Sequence, residues 1–556
     1  MALLDSLRLL QVVVLLLAIS FVYLVYISIY RLFFHPLAKY PGPLLAKLTT
    51  WYSAYHNYVN DVHIDILRCH AVYGDFVRYG PDRLVVNSAN GFHDIYGHAK
   101  NIAKSKAYWA LLGKEEEWSV LTAWDKTVHG RKRRVIAQGF TEAAVRGYEP
   151  VIKENIAILC KRLLASDGRE GAPEASSAWS LPLDMSKFAN YLSFDIMTDV
   201  VFSVKRHLIE NPDYRWITSC IERMMNRIGV VSMVPWTRWW GLGLHWAIKP
   251  DGVRAYLRFH DEAVYFAKAR MKQQLPEGRK DVYQNLLNAK DAQTGEGLPL
   301  PELLAETGLL IVAGSDTTSS ALAGIFFYLS HNPSVYAKVA HEVRTTFPSV
   351  SSINHGPELR SCVYLYAVVN ECLRMCPPVS AAPWRVVLKG GQRIDGHDIP
   401  EGTEVGTGLY SLMHNPAYFA EPFKFNPDRW IETETNPAAN IEIQRRAFVP
   451  FLSGARMCAA KNLAMAELLI TTAQVLYTMD FKVPDGPGGK VGQVSEKGRK
   501  LKTGAVGLKT TGLVEVSKSP HDDLVDGIGP DAYWALVNLG SILQKGLVNQ
   551  EFGELD

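Results

Sequence analysis

The hydropathy pattern divides the chain into three unequal parts. From Leu9 to Ile29 almost every position is apolar, with Gln11, Ser20 and Ser28 the clear interruptions. A helix of roughly 20 apolar residues crosses a bilayer core. Tyr23, Tyr26 and Tyr30 cluster toward one end, where amphipathic rings favour the membrane–water boundary. Arg31, Lys39 and Lys47 follow, so the positive excess places the C-terminal side in the cytosol. A cleaved signal peptide is the competing reading, but it requires a shorter apolar core and a small-residue cleavage site. Pro36, Pro41, Gly42 and Pro43 then predict a stiff, extended hinge.

The body is mostly helical in period. Glu302–Ser330 is one long apolar run, and Val335–Phe347, Cys362–Met375 and Lys461–Met479 read as further helices. Short strand-like pieces stand at Phe76–Tyr79, Arg83–Val86 and Thr403–Thr407, and Ser166–Ser180 reads as a surface loop. The expected architecture is mainly α with small β-sheets: a transmembrane anchor over 1–30, a hinge over 31–50, one large domain over 51–518 and an acidic extension over 519–556. Within that extension Ala532–Leu547 has the spacing of an amphipathic helix.

Composition narrows the class. Hydrophobic residues are 48% and charged residues 21% of 556, so a large core is expected and a disordered or fibrous chain is excluded. A net charge of +3 is too small to argue for nucleic acid. Seven cysteines occur without any C-x-x-C pair, which suits reduced thiols in a cytosol-facing protein.

Four constellations carry candidate chemistry. Phe451-Leu-Ser-Gly454-Ala-Arg456-Met-Cys458 ends just before a predicted helix, whose N-terminal dipole favours a thiolate. Such a thiolate suits axial ligation of haem iron, with Arg456 in reach of a propionate. Read alone, the segment fits an ordinary buried cysteine equally well. Ala313-Gly314-Ser315-Asp316-Thr317-Thr318 interrupts the long apolar helix with polar groups that need partners or a wet cavity. Asp316 and Thr317 are placed to move protons, and a locally satisfied helix kink is the alternative. Glu371-Cys-Leu-Arg374 sets opposite charges on one helix face, and Asn426-Pro-Asp-Arg429-Trp430 adds an arginine that completes a buried trio.

Taken in this order, the motifs resemble the cytochrome P450 family, and the anchor with its hinge is similar to endoplasmic-reticulum members of a fungal type. The resemblance implies a single haem-thiolate monooxygenase domain holding haem b, with Cys458 as the proximal ligand and Asp316 and Thr317 as the distal proton-delivery pair. It assigns Glu371, Arg374 and Arg429 to a structural network, and Arg133, Arg385 and Arg456 to the propionates. Two positions depart from the family's pattern: Ala460 stands where glycine is usual after the cysteine, and His129 where tryptophan is frequent.

The same resemblance implies electrons from an NADPH–cytochrome reductase, with cytochrome b5 as a further donor, and dioxygen as co-substrate. Arg131–Arg134, Arg445, Arg446 and Lys461 form the expected basic docking patch. Met224, Met225, Met233, Trp236, Trp239, Trp240 and Trp246 suit an access channel or the bilayer surface. Tyr108, Trp109, Trp118 and Trp124 suit a loop over the haem. A bulky apolar or aromatic fungal secondary metabolite is the expected substrate. Alternatives are a small aromatic acid such as benzoate, an isomerase or dehydratase that needs no NADPH, and a haem sensor without turnover.

Overall fold

The computed structural model describes residues 2–112, 117–165, 179–180, 182–240, 250–277, 279–288, 290, 295, 297–484, 511–518 and 537–540. Its first helix, Ala2–Ile29, runs through a wider π turn at Tyr30–Phe34 into the proline hinge. Asp5–Phe34 has mean hydropathy 2.8 and none of its span buried. Leu300–His331, with mean hydropathy 1.4, is 56% buried. Both are long enough to cross a bilayer. Burial separates a candidate anchor from the central helix of a packed domain, because only the first leaves its apolar surface to be covered from outside.

The central helix packs along Met185–Phe202, and from Ala321 to Ser330 every residue is buried. Around it lie Glu142–Leu164, Pro333–Thr346, Val363–Met375 and Lys461–Thr478, which share one large apolar core. The four helices expected in the body, over 302–330, 335–347, 362–375 and 461–479, therefore form within one or two residues of their predicted ends.

A five-stranded sheet flanks the helices in the order Phe76–Gly80, Arg83–Val86, Glu404–Gly406, Arg385–Val387, Ile102–Lys104. Its register sets Leu84 beside Val405 and Lys104 beside Arg385. Gln392–Ile394 and His397–Ile399 form a hairpin whose two turn residues, Asp395 and Gly396, both take positive φ (41° and 82°). That is the twist a two-residue hairpin turn requires.

One expectation changes at the C-terminal end. The strand Thr511–Lys518 pairs with Met479–Lys482, Leu183–Asp184 and Val537–Gly540. Part of the predicted helix over 532–547 is therefore a strand, the edge partner available there outweighing a weak helical period. The acidic residues Asp522, Asp523, Asp526, Glu551, Glu554 and Asp556 lie outside the described residues, as do 166–178 of the predicted loop.

Candidate active site

The loop before Cys458 is held by its own backbone. Cys458 N–H donates to the Phe451 carbonyl at 2.9 Å and Met457 N–H to the Gly454 carbonyl at 3.1 Å. Gly454 has φ 71°, and a Cβ there would collide with the Tyr96 carbonyl oxygen, so both conformation and close approach demand glycine. The helix Lys461–Thr478 begins directly after the loop, with Ala460 at its N-cap at φ −95°. Alanine is compatible with that conformation, so the departure at Ala460 leaves the backbone path intact.

Cys458 opens onto an internal cavity of about 1070 Å³ rather than onto bulk solvent. Burial pushes its thiol above the ordinary range, against the backbone at Ala460 and the charges of Arg133 and Lys461. A metal cation bonded to the sulfur would favour the thiolate against that burial.

Asp316 and Thr317 reach the same cavity from the central helix. Thr317 Oγ1 donates to the Ala313 carbonyl at 2.7 Å, which fixes its rotamer and leaves its lone pairs for the cavity. Desolvation raises Asp316 to about 6, so it exchanges a proton near neutrality. Gly314 makes room for a neighbour: Met197 of the helix Met185–Phe202 occupies the space a side chain would need.

The cations that line the cavity are only partly those expected. Arg133 and Arg456 line the cavity, and their guanidinium groups donate to backbone oxygens: Arg133 to Met457 at 2.7 Å, Arg456 to Ala123 at 2.6 Å and Trp124 at 3.0 Å. Arg385 lies one layer behind the wall and donates to Tyr108 Oη at 2.9 Å, so Tyr108 presents the arginine's influence to the cavity. Sequence reasoning missed Lys104, which the sheet register places beside Arg385 and whose ammonium group caps the Leu121 carbonyl. A single lysine in a short strand carried no signal of this.

These charges crowd one another. Burial and Arg385 and Arg456 hold Lys104 well below the ordinary lysine range. Burial, with Arg385 next, lowers Arg456 to about 10. Burial and the surrounding cations bring His129 to about 3, so it stands neutral. None of Lys104, Arg133, Arg385 or Arg456 makes an ion pair with a carboxylate among the described residues. A flat macrocycle carrying a central metal and two edge carboxylates fits this donor set: thiol below, cations at the rim, apolar walls between.

Glu371, Arg374 and Arg429 are also brought together. Arg374 donates to both Glu371 oxygens at 2.9 and 2.8 Å, Arg429 Nε donates to Glu371 at 3.0 Å, and Trp430 Nε1 adds a bond at 3.0 Å. A further acid was missed on the cavity wall. Glu467 is 1% exposed and desolvation raises it to about 8, so it is a neutral acid at pH 7.

Several surface expectations need correction. Lys132 is buried and bonded to Glu302 at 2.6 Å, Arg131 is paired with Glu302 at 2.9 Å, and Arg133 points inward. The basic helix run thus leaves only Arg134 for a partner, beside exposed Arg445, Arg446 and Lys461. Met224 and Met225 line the cavity, whereas Met233 packs into a separate core and Trp236 meets Trp51 edge-on at the surface. Tyr108 and Trp109 line the cavity, Trp118 does not, and Trp124 is 54% exposed. The side chains of Trp239, Trp240 and Trp246 lie outside the described residues.

Comparison with known proteins agrees with this geometry. The sequence profile of the family described as "Cytochrome P450" matches residues 53–495. Cytochrome P450 monooxygenase apf7 of Gibberella fujikuroi is 40% identical over 84% of this chain and 90% of its own. Cytochrome P450 monooxygenase poxM of Penicillium oxalicum is 37% identical over 92% and 96%. The crystal structure of the cytochrome P450DA heme domain superposes with a TM-score of 0.62 at 17% identity, covering 80% of this chain and 92% of that one, a likeness of fold. With its cysteine loop, apolar cavity and matched span, the chain belongs to the cytochrome P450 family of haem-thiolate monooxygenases.

Proposed function

We propose that the chain is a membrane-anchored monooxygenase that takes electrons from an NADPH-dependent flavin reductase, with cytochrome b5 as a further donor. It oxidises a bulky apolar or aromatic small molecule of fungal secondary metabolism. One observation carries the reading: a single cavity joins Cys458, the Asp316–Thr317 pair and walls that are otherwise mostly apolar. Bound haem supplies the activation of dioxygen. In this reading Cys458 ligates the iron, and Arg133, Arg456 and Lys104 hold the propionates. Tyr108, oriented by Arg385, completes the rim. Asp316 holds a proton at its carboxyl, and the Thr317 hydroxyl hands it into the cavity. Glu371, Arg374 and Arg429 brace the segment leading to Cys458.

The exposed first helix supports an endoplasmic-reticulum anchor over 1–30 with the body facing the cytosol, and 31–50 as the hinge to a catalytic domain over 51–518. Arg134, Arg445, Arg446 and Lys461 offer the reductase a smaller patch than the sequence suggested.

The test is the carbon-monoxide difference spectrum of the reduced protein, repeated on Cys458→Ser. The parent shows the thiolate-ligated band and the variant loses it; an unchanged band in the variant removes Cys458 from the iron. Asp316→Asn with Thr317→Ala is expected to uncouple NADPH consumption from product. Turnover without NADPH would instead favour an isomerase or dehydratase.

A further inference from the structure

Glu306 lies about two turns into the central helix and is fully buried. Its Oε1 accepts the Val120 backbone N–H at 2.9 Å and meets Lys132 Nζ at 3.3 Å. Lys132 is itself buried and reaches Glu302 at 2.6 Å, so three elements meet at one charge cluster. Burial holds Glu306 near 7, with Lys132 pulling it down. Either protonation state keeps a carboxyl oxygen for Val120 N–H.

The partner of that bond matters. Val120, Leu121 and Thr122 line the cavity beside Leu304, Ala305 and Gly308 of the same helix. The segment is braced internally: Ser119 N–H donates to Thr122 Oγ1 at 2.8 Å, and Ala123 N–H to the Ser119 carbonyl at 2.8 Å. A braced turn moves as one body, so the few bonds that reach it from outside set its position. Its other side is hung on the rim cations, through Lys104 to Leu121 and Arg456 to Ala123 and Trp124. Glu306 is the anchor that reaches the segment from the central helix.

We infer that Glu306 is a positioning residue that sets the height of the cavity roof at 119–123, and so limits the size of molecule admitted. This rests on the cavity being the substrate site. The buried bond to Val120 N–H is the lever: without it the N–H is left unsatisfied and the roof tilts about its remaining anchors.

The experiment compares the holoenzyme with Glu306→Gln, Glu306→Ala and Val120→Pro, the last removing the donor from the roof side. Hydrogen exchange is followed across the chain, and imidazole, 1-phenylimidazole and clotrimazole are titrated against the haem absorption band. Glu306→Ala and Val120→Pro are expected to raise exchange selectively in the 118–124 peptide. They shift the ratio of clotrimazole to imidazole affinity by about fivefold in favour of the larger ligand, the equivalent of roughly 1 kcal/mol. Glu306→Gln, which retains an acceptor oxygen, restores both values toward the parent. An unchanged ratio, or loss of protection spread over the whole chain in every variant, overturns the inference. Should Glu306→Ala fail to fold, Val120→Pro set against Glu306→Gln decides between the same two results. Failure of the haem reading shows separately, as a parent protein without the thiolate band.

Discussion

Two charge clusters in the body of the protein are built on opposite rules. Around Glu371 one carboxylate takes four bonds from Arg374, Arg429 and Trp430, and the Asn426 N–H adds another at 2.9 Å. Glu371 and Arg374 are completely buried, yet each charge faces its opposite. Around Lys104, Arg385 and Arg456 the chain gathers cations and leaves them to repel one another. The first cluster is finished when the chain folds. In the proposed reading the haem propionates complete the second, so the difference would separate what braces the fold from what recognises a cofactor.

The sharpest way to break the contrast is Glu371→Gln. Leaving two arginines buried without their carboxylate is expected to cost about 3–5 kcal/mol, read as a lower urea midpoint whether or not haem is present. A midpoint within error of the parent would place the arginines in solvent and end the comparison.

Next in size is Glu467, an acid that belongs to neither cluster. Its folded pKa, about 8, lies above its ordinary 4.5, so between those values the folded chain keeps a proton that the unfolded chain has lost. Stability from this group therefore falls as pH rises from about 4.5 to 8. Glu467→Gln is expected to flatten that slope and to exceed the parent's stability at pH 8 by roughly 2–4 kcal/mol. Urea midpoints at pH 5 to pH 8.5 decide it, and parallel curves for the two proteins would show the acid to be solvated.

The smallest effect has the opposite sign to the first. Lys104→Met removes one of the crowded cations, so the haem-free chain gains about 1 kcal/mol while the holoenzyme surrenders haem faster to an acceptor globin. A variant that loses stability without haem and holds haem as before would make Lys104 a brace like Glu371.

Much of the site was legible from local chemistry. Gly454, Arg456 and Cys458 act within eight consecutive residues, and Asp316 and Thr317 are conspicuous because polar side chains are costly in an apolar helix. Glu371 and Arg374 stand at i and i+3, so one helix turn reveals them. Lys104 and Arg385 were not readable together, since 281 positions separate them and only the antiparallel register makes them neighbours. The basic run 131–134 misled for a related reason. Charge density is visible in one dimension, but Glu302 and Glu306, which consume Arg131 and Lys132, arrive from another helix.

Sequence alone determined the anchor-like first helix, the order of helical segments and the loop that presents Cys458, because each depends on contacts within a few residues. Tertiary structure alone decided which charges are neutralised, which are left facing the cavity, and what hangs its roof from Glu306. Those outcomes depend on burial and on partners distant in the chain, and an electrostatic interaction acquires its sign and strength only when both charges and the medium between them are in place.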